Sequence, residues 1–143
     1  MGILDILKIS ASGLKAQRQR MEVVASNLAN IHTTKTEEGG PYRKKEVVFT
    51  STDVSDEKTF GRLLSKRIEG VKVDSIQESA KDFQKVFDPN HPDADNEGYV
   101  SQPNVNVMEE MTDMTAATRA YEANINILNT TKEMFIKSLD LAK

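Results

Sequence analysis

Leu7, Leu14, Met21 and Leu28 recur every seven residues near the start of the chain, with Val24 and Ile31 interleaved. Apolar positions at this spacing share one face of a helix. Residues 3–31 hold no proline and one internal glycine, Gly13, so nothing interrupts the pattern. At about 1.5 Å per residue such a helix would span roughly 42 Å, long for a chain of this size. Residues 104–143 repeat the design: Met114, Tyr121, Leu128 and Phe135 keep strict seven-residue spacing, with Met111, Thr118, Ile125 and Leu139 beside them. The start of this second helix is marked in the sequence. Pro103 closes the preceding segment, Asn106 can cap free backbone amides, and Glu109 stands three residues later as in a capping box. Glu110 and Asp113 add negative charge near the positive end of the helix.

Between the helices, residues 32–103 carry every proline and most of the glycines, and their apolar pattern is short and alternating. Glu46–Thr50 and Val71–Ile76 suit strands. Glu38-Gly39-Gly40-Pro41-Tyr42 is a turn signal and Asp88-Pro89-Asn90-His91-Pro92 an irregular loop. Residues 79–87 fit a short helix or a strand equally well. The expected class is α+β: long N- and C-terminal helices paired as an antiparallel coiled coil, with a small, β-rich, irregular middle domain. The boundaries are 1–31, 32–103 and 104–143, the two helices forming one coiled-coil unit.

Each helix carries more than one apolar stripe. Ile9 and Val23 fall roughly opposite the Leu7 series. Ile127, Met134 and Leu141 form a second seven-residue series displaced from the one through Tyr121, Leu128 and Phe135. One partner cannot cover both stripes, so two neighbours are implied. Leu7, Leu14, Met21, Leu28, Tyr121, Leu128 and Phe135 are the expected seam within one subunit. Ile9, Val23, Ile127, Met134 and Leu141 are the expected contacts between subunits, although the two sets could exchange roles. Contacts that do not close into a ring propagate a helical tube. An ordinary helical hairpin with both faces buried in one domain has the same pattern, but the insertion here is too polar to cover both helices.

Composition narrows the chemistry. Aromatics make up only 6% of the 143 residues, so a thin core is expected. Nineteen basic against twenty-two acidic residues, with no basic cluster longer than Arg43-Lys44-Lys45, give no footprint for nucleic acid. Cysteine is absent, which removes disulfides, thiolate nucleophiles and cysteine metal sites. The opening Met-Gly-Ile-Leu-Asp-Ile-Leu lacks the basic and unbroken apolar regions of a secretory signal, so export would leave the N-terminus uncut. His32 and His91 lie far apart in sequence, and no nucleophile elbow, phosphate loop or zinc helix is present. No catalysis, cofactor, metal or small-molecule substrate is expected. Asp93, Asp95, Glu97 and Gly98 resemble the first half of an EF-hand loop, but Asn104 stands where the bidentate glutamate belongs, and Pro89 and Pro92 occupy the place of the entering helix. A turn braced by its own side chains is the expectation there.

Five segments carry a resemblance over nearly the whole chain: Ala25-Ser26-Asn27-Leu28-Ala29-Asn30-Ile31-His32-Thr33-Thr34; Gly39-Gly40-Pro41-Tyr42-Arg43-Lys44-Lys45; Asp88-Pro89-Asn90-His91-Pro92-Asp93-Ala94-Asp95 with Gly98-Tyr99-Val100; Pro103-Asn104-Val105-Asn106-Val107 leading into Glu109-Glu110-Met111; and Arg119-Ala120-Tyr121-Glu122-Ala123-Asn124. In these the chain resembles the proximal rod proteins of the bacterial flagellar basal body, the FlgC family. The resemblance implies a structural subunit exported by the flagellar type III apparatus into the rod that crosses the periplasm. Its partners would be copies of itself, other rod proteins, and neighbouring export-gate, membrane-ring and hook-side components. It further implies that the terminal helices form the inner part of a tube that transmits torque and encloses the export channel, with the middle segment outside. Residues 51–69 depart most from the family pattern. The rival reading from the residues is a soluble helical adaptor or chaperone that binds an amphipathic partner helix; filament growth on mixing with other rod subunits, against a stable one-to-one complex, separates the two.

Overall fold

A computed structural model describes residues 3–37, 39–53 and 69–141. Most of the polar stretch at 51–69, and Glu38 of the turn signal, lie outside the described residues. Helix α1 runs Ile3–Ala29 and helix α2 runs Val107–Asp140. Between them come strands β1 (Lys45–Asp53), β2 (Glu69–Glu78), β3 (Gln84–Phe87) and β4 (Tyr99–Gln102). The α+β class holds, and 84–87 within the ambiguous stretch is strand.

The helix ends follow from local chemistry. At α1 the Asn30 side chain donates back to the Ser26 carbonyl (2.9 Å) and Thr33 Oγ1 donates to Asn30 Oδ1 (3.2 Å), substituting side-chain bonds for the next turn of the ladder. At α2 the Asn106 side chain accepts from the Met108 and Glu109 amides, satisfying two of the donors that every helix start leaves free. The expected capping role of Asn106 is therefore seen. Glu109 is engaged otherwise: its Oε2 lies 3.7 Å from Lys44 Nζ and 3.6 Å from Lys81 Nζ.

β1 and β2 form an antiparallel pair from Lys45↔Glu78 to Asp53↔Glu69, with a bulge at Val48/Phe49 that leaves Asp74 as the extra residue. β3 and β4 form a second, shorter antiparallel pair from Gln84↔Gln102 to Phe87↔Tyr99. The β1–β2 ribbon lies along α1. One end is fixed where Asn27 bonds Lys45, the other where the Val71 amide donates to Ser12 Oγ (3.1 Å) and Ser12 in turn donates to the Ile9 carbonyl. Gly39 and Gly40 both take positive φ, 89° and 80°, which only glycine adopts without strain, and so form the turn read from the sequence.

The helices run in opposite directions. Asn27 bonds Glu110, Arg20 bonds Asp113, Thr118 Oγ1 lies 3.6 Å from Met21 Sδ, and Gly13 faces Asn124, so the partner on α2 advances as α1 is followed backwards. The buried residues of α1 are Ser10, Ala16, Val23, Val24 and Asn27, and those of α2 are Glu110, Ala117 and Thr131, none of them a large apolar side chain. A Cβ on Gly13 would come within 2.9 Å of Asn124 Nδ2, so the Asn124 side chain fills the space that the glycine leaves. Of the residues read as the seam from periodicity, Leu7, Leu14, Met21, Leu28, Tyr121 and Leu128 are half-exposed and Phe135 is exposed, while Met21 touches Thr118 across the pair. The core is thin, as the scarcity of aromatics suggests: its fully buried apolar members among the described residues are Ala16, Val23, Val24, Tyr42, Val100 and Ala117.

Candidate assembly surface and its polar joint

The end of α1, the start of β1 and the first turn of α2 converge on a polar joint. Asn27, 1% exposed, uses all four of its hydrogen-bonding positions. Its Nδ2 donates to the Lys45 carbonyl (2.9 Å) and to Glu110 Oε2 (3.0 Å), while its Oδ1 accepts from the Lys45 amide (2.9 Å) and the Tyr42 hydroxyl (3.0 Å). The side-chain amide thus pairs with the backbone of Lys45 as a neighbouring strand would. Glu110, also 1% exposed, receives Lys44 Nζ at 2.6 Å on its other oxygen. Burial opposes the Lys44 charge, but the hydrogen bond to Glu110 and the carboxylates of Glu110, Glu109 and Glu46 outweigh it and hold the pKa above its ordinary 10.5. Asn104 extends the network, accepting from the Lys44 amide (2.7 Å) and donating to the Lys81 carbonyl (2.7 Å). Arg43 donates to the carbonyls of Ser79 and Lys81 while its guanidinium sits 4.3 Å from the Phe83 ring centroid. None of this was legible as a site in the sequence, although Asn27, Tyr42, Lys44, Lys45, Asn104 and Glu110 lie within the segments that carried the family resemblance.

Beyond the joint, α2 offers its outer side to solvent. Continuing back from Gly13 to Ile3 brings α2 forward from Asn124 to Met134, so Phe135–Leu141 run past the described start of α1. Ile127 (46% exposed), Met134 (66%) and Leu141 (89%) lie on the outside of this helix, with Phe135, Ile136 and Leu139 also exposed. Near the other end Met108 and Met111 are exposed, and Thr112, Thr115 and Thr118 turn their hydroxyls onto the carbonyls of Met108, Met111 and Met114. With those hydroxyls satisfied internally, the surface is more apolar than its residue names suggest. Of the residues expected to face other subunits, Ile9 is half-buried and Val23 is buried at 8%. Val23 lines a cavity of ≈ 350 Å³ with Val47 and Phe49, so it is covered by its own β1 strand, which periodicity along the helix could not reveal.

The acidic loop is braced by its own backbone. Asp95 Oδ1 accepts from the Glu97 and Tyr99 amides, both at 2.9 Å, and Asp93 Oδ2 accepts from Thr34 Oγ1 at 2.7 Å. The Tyr99 bond, foremost, holds the Asp95 carboxyl below its usual range. Gly98 has φ 81°, and a Cβ there would come 3.0 Å from Phe87 Cε2. His32 and His91, remote in sequence, line one cavity of ≈ 140 Å³ together with Asp88, and the Asp93 amide donates to His91 Nδ1 (3.1 Å). No group of three potential metal ligands is assembled among the described residues. Among the described residues no helix is long and apolar enough to cross a membrane.

Comparison with known proteins places this architecture. Residues 7–35, which include Asn27, match the family described as "Flagella basal body rod protein", and residues 96–141, which include Glu110, match "Flagellar basal body rod FlgEFG protein C-terminal". The flagellar basal-body rod protein FlgC of Bacillus subtilis is 45% identical over 96% of both chains. That of Salmonella typhimurium is 43% identical over the whole of both, and that of Borreliella burgdorferi 38% identical over 97% of both. Similarity at this level, running through both helices and the segments that form the joint, shows that the chain belongs to the FlgC family of flagellar basal-body rod proteins.

Proposed function

We propose that this chain is a structural subunit of the flagellar basal-body rod whose terminal helices pack against those of neighbouring subunits to build a tube. The observation that carries this reading is the set of exposed apolar side chains at Ile127, Met134 and Leu141, in the C-terminal part of α2 and at its cap, which the rest of the chain leaves uncovered. An exposed apolar stripe on a helix is stabilised by a second partner, and repetition of one such contact generates a helical array. In this reading α1 and α2 wind as an antiparallel coiled coil and form the inner wall, while residues 32–103 form an outer domain. The inner wall encloses an export channel and transmits torque. Its partners are copies of itself and other rod proteins, with the export gate and membrane ring at one end and hook-side components at the other. The subunit reaches the periplasm through the flagellar export apparatus, and it performs no catalysis.

The test is Ile127→Asp and Met134→Asp. Each places a charge on the outer stripe without touching the β strands or the joint, and desolvating that charge in a packed interface opposes assembly. Cells carrying either change are expected to lose motility and to lack the subunit in isolated basal bodies, while the protein keeps its far-ultraviolet spectrum. Normal swimming with both changes together would show that the stripe faces solvent in the rod.

A further inference from the structure

The contacts between α1 and α2 contain an ambiguity that their periodicity cannot resolve. The small residues on α2, Ala117, Asn124 and Thr131, are spaced by seven, as are the flanking Met114, Tyr121, Leu128 and Phe135. Leu7, Leu14, Met21 and Leu28 on α1 have the same repeat. Sliding α2 by seven residues therefore replaces Ala117 by Asn124 and Asn124 by Thr131, and the flanking large residues exchange in the same way. The flanking large residues do not distinguish the native register from the slipped one, whereas the slide sets Asn124 in the fully buried place of Ala117 and parts Arg20 from Asp113. Glu110 adds a further and larger penalty. The slide takes its carboxylate away from Lys44 Nζ and from Asn27 Nδ2 and puts the Ala117 methyl in its place, leaving two buried polar groups without their partner.

We propose that Asn27, Lys44 and Glu110 are positioning residues that set the register of the terminal helix pair, and so place the exposed end of α2 at a defined distance from the β strands. Asn27 and Lys44 are held by elements outside α2: Asn27 by the Lys45 backbone and Tyr42, Lys44 by the Asn104 side chain on its amide. Glu110 is the one member of the trio that α2 contributes, so the joint closes only when this residue arrives. A buried polar group that selects register among otherwise equivalent apolar pairings is the best-attested use of such groups in helix pairs. The inference concerns contacts within one subunit and stands whether or not the outer stripe meets a neighbour.

The sequence has no cysteine, which makes disulfide trapping in the full chain direct. Met21→Cys/Thr118→Cys reports the native register, in which these side chains touch, and Met21→Cys/Ile125→Cys reports the seven-residue slide. With the joint intact, the native pair is expected to crosslink at least about tenfold more than the slipped pair. In a Lys44→Met/Glu110→Met background, where apolar side chains of similar size replace the ion pair, the ratio is expected to fall by about threefold or more while helix content is kept. An unchanged ratio after this replacement overturns the proposal, as do equal yields in the chain with the joint intact. If the double replacement does not fold, Glu110→Gln keeps the side-chain volume and the bond from Asn27 but removes the charge facing Lys44, and is expected to lower the ratio by about threefold or more. An unchanged ratio in that variant overturns the proposal equally.

Discussion

Replacing Asn27 by alanine removes four hydrogen bonds while deleting only a short side chain. The Tyr42 hydroxyl loses the acceptor Asn27 Oδ1, Glu110 Oε2 loses the donor Asn27 Nδ2, and Lys45 loses partners for both its amide and its carbonyl. Glu110 keeps Lys44 and Lys45 is an exposed residue, so water can reach part of what is left. The Tyr42 hydroxyl keeps Ser26 Oγ at 3.4 Å, so the losses fall on Glu110 Oε2 and the Lys45 backbone; with Glu110 Oε2 and one Lys45 group left unpaired at about 1–3 kcal/mol each, the loss is about 2–6 kcal/mol. That is a large part of the total for a domain of this size, typically about 5–15 kcal/mol. Urea unfolding followed by far-ultraviolet circular dichroism measures it, with the midpoint falling and the slope unchanged if the folded state alone is affected. Asn27→Asp provides a control, because it keeps an acceptor for the Lys45 amide but sets a second carboxylate against Glu110; it is expected to lose at least as much as alanine. A loss below about 1 kcal/mol for Asn27→Ala would show that the joint is hydrated and that its geometry does not stabilise the fold.

Three further outcomes follow from the same contacts. The Lys44 pKa is raised in the folded state, so its stabilisation is complete below the unfolded value of 10.5 and is lost as pH rises through the folded value; alkaline unfolding should therefore begin above pH 10.5 with a component that Lys44→Met removes, as pH-dependent melting would show. Calorimetry should find no calcium site in the Asp93–Gly98 loop, whose Asp93 and Asp95 carboxylates are engaged by Thr34 and by backbone amides, and a dissociation constant at or below about 10 μM would refute this. In the free subunit, amides of residues 118–140 should exchange quickly, since Thr131 is the sole buried residue of that span, and should become protected on incorporation into the rod; strong protection in a verified monomer would sink the coupling of folding to assembly.

The positions of the helices were legible because periodicity and punctuation act locally. No proline and only the single glycine Gly13 fall within the first apolar pattern, Pro103 and Asn106 mark the start of α2, and Gly39-Gly40 marks the turn that their positive φ angles form. The strands within 46–50 and 71–76 were read from alternation, while 84–87 could not be assigned because its two polar and two apolar positions do not alternate and are all exposed. Family membership was also legible, since the diagnostic segments coincide with the turn, the braced loop and the joint.

What required the tertiary structure was the rotation of each helix about its own axis. A repeat of seven fixes the angles among residues on one helix but leaves open which side meets the partner. The large apolar stripe through Leu7, Leu14, Met21 and Leu28 suggested the seam; in the structure these side chains are half-exposed, while Ser10, Ala16 and Asn27 of the same helix are buried. The same holds for Val23, covered by β1, and for Glu109, drawn from its expected cap toward Lys44 and Lys81. Asn27 and Glu110 are separated by 83 positions, and in isolation each is an ordinary polar residue on a helix. Their function as a pair exists only where the chain brings a strand backbone and a lysine to the same point, because a buried polar group has meaning through the partners that satisfy it and those partners are remote in sequence.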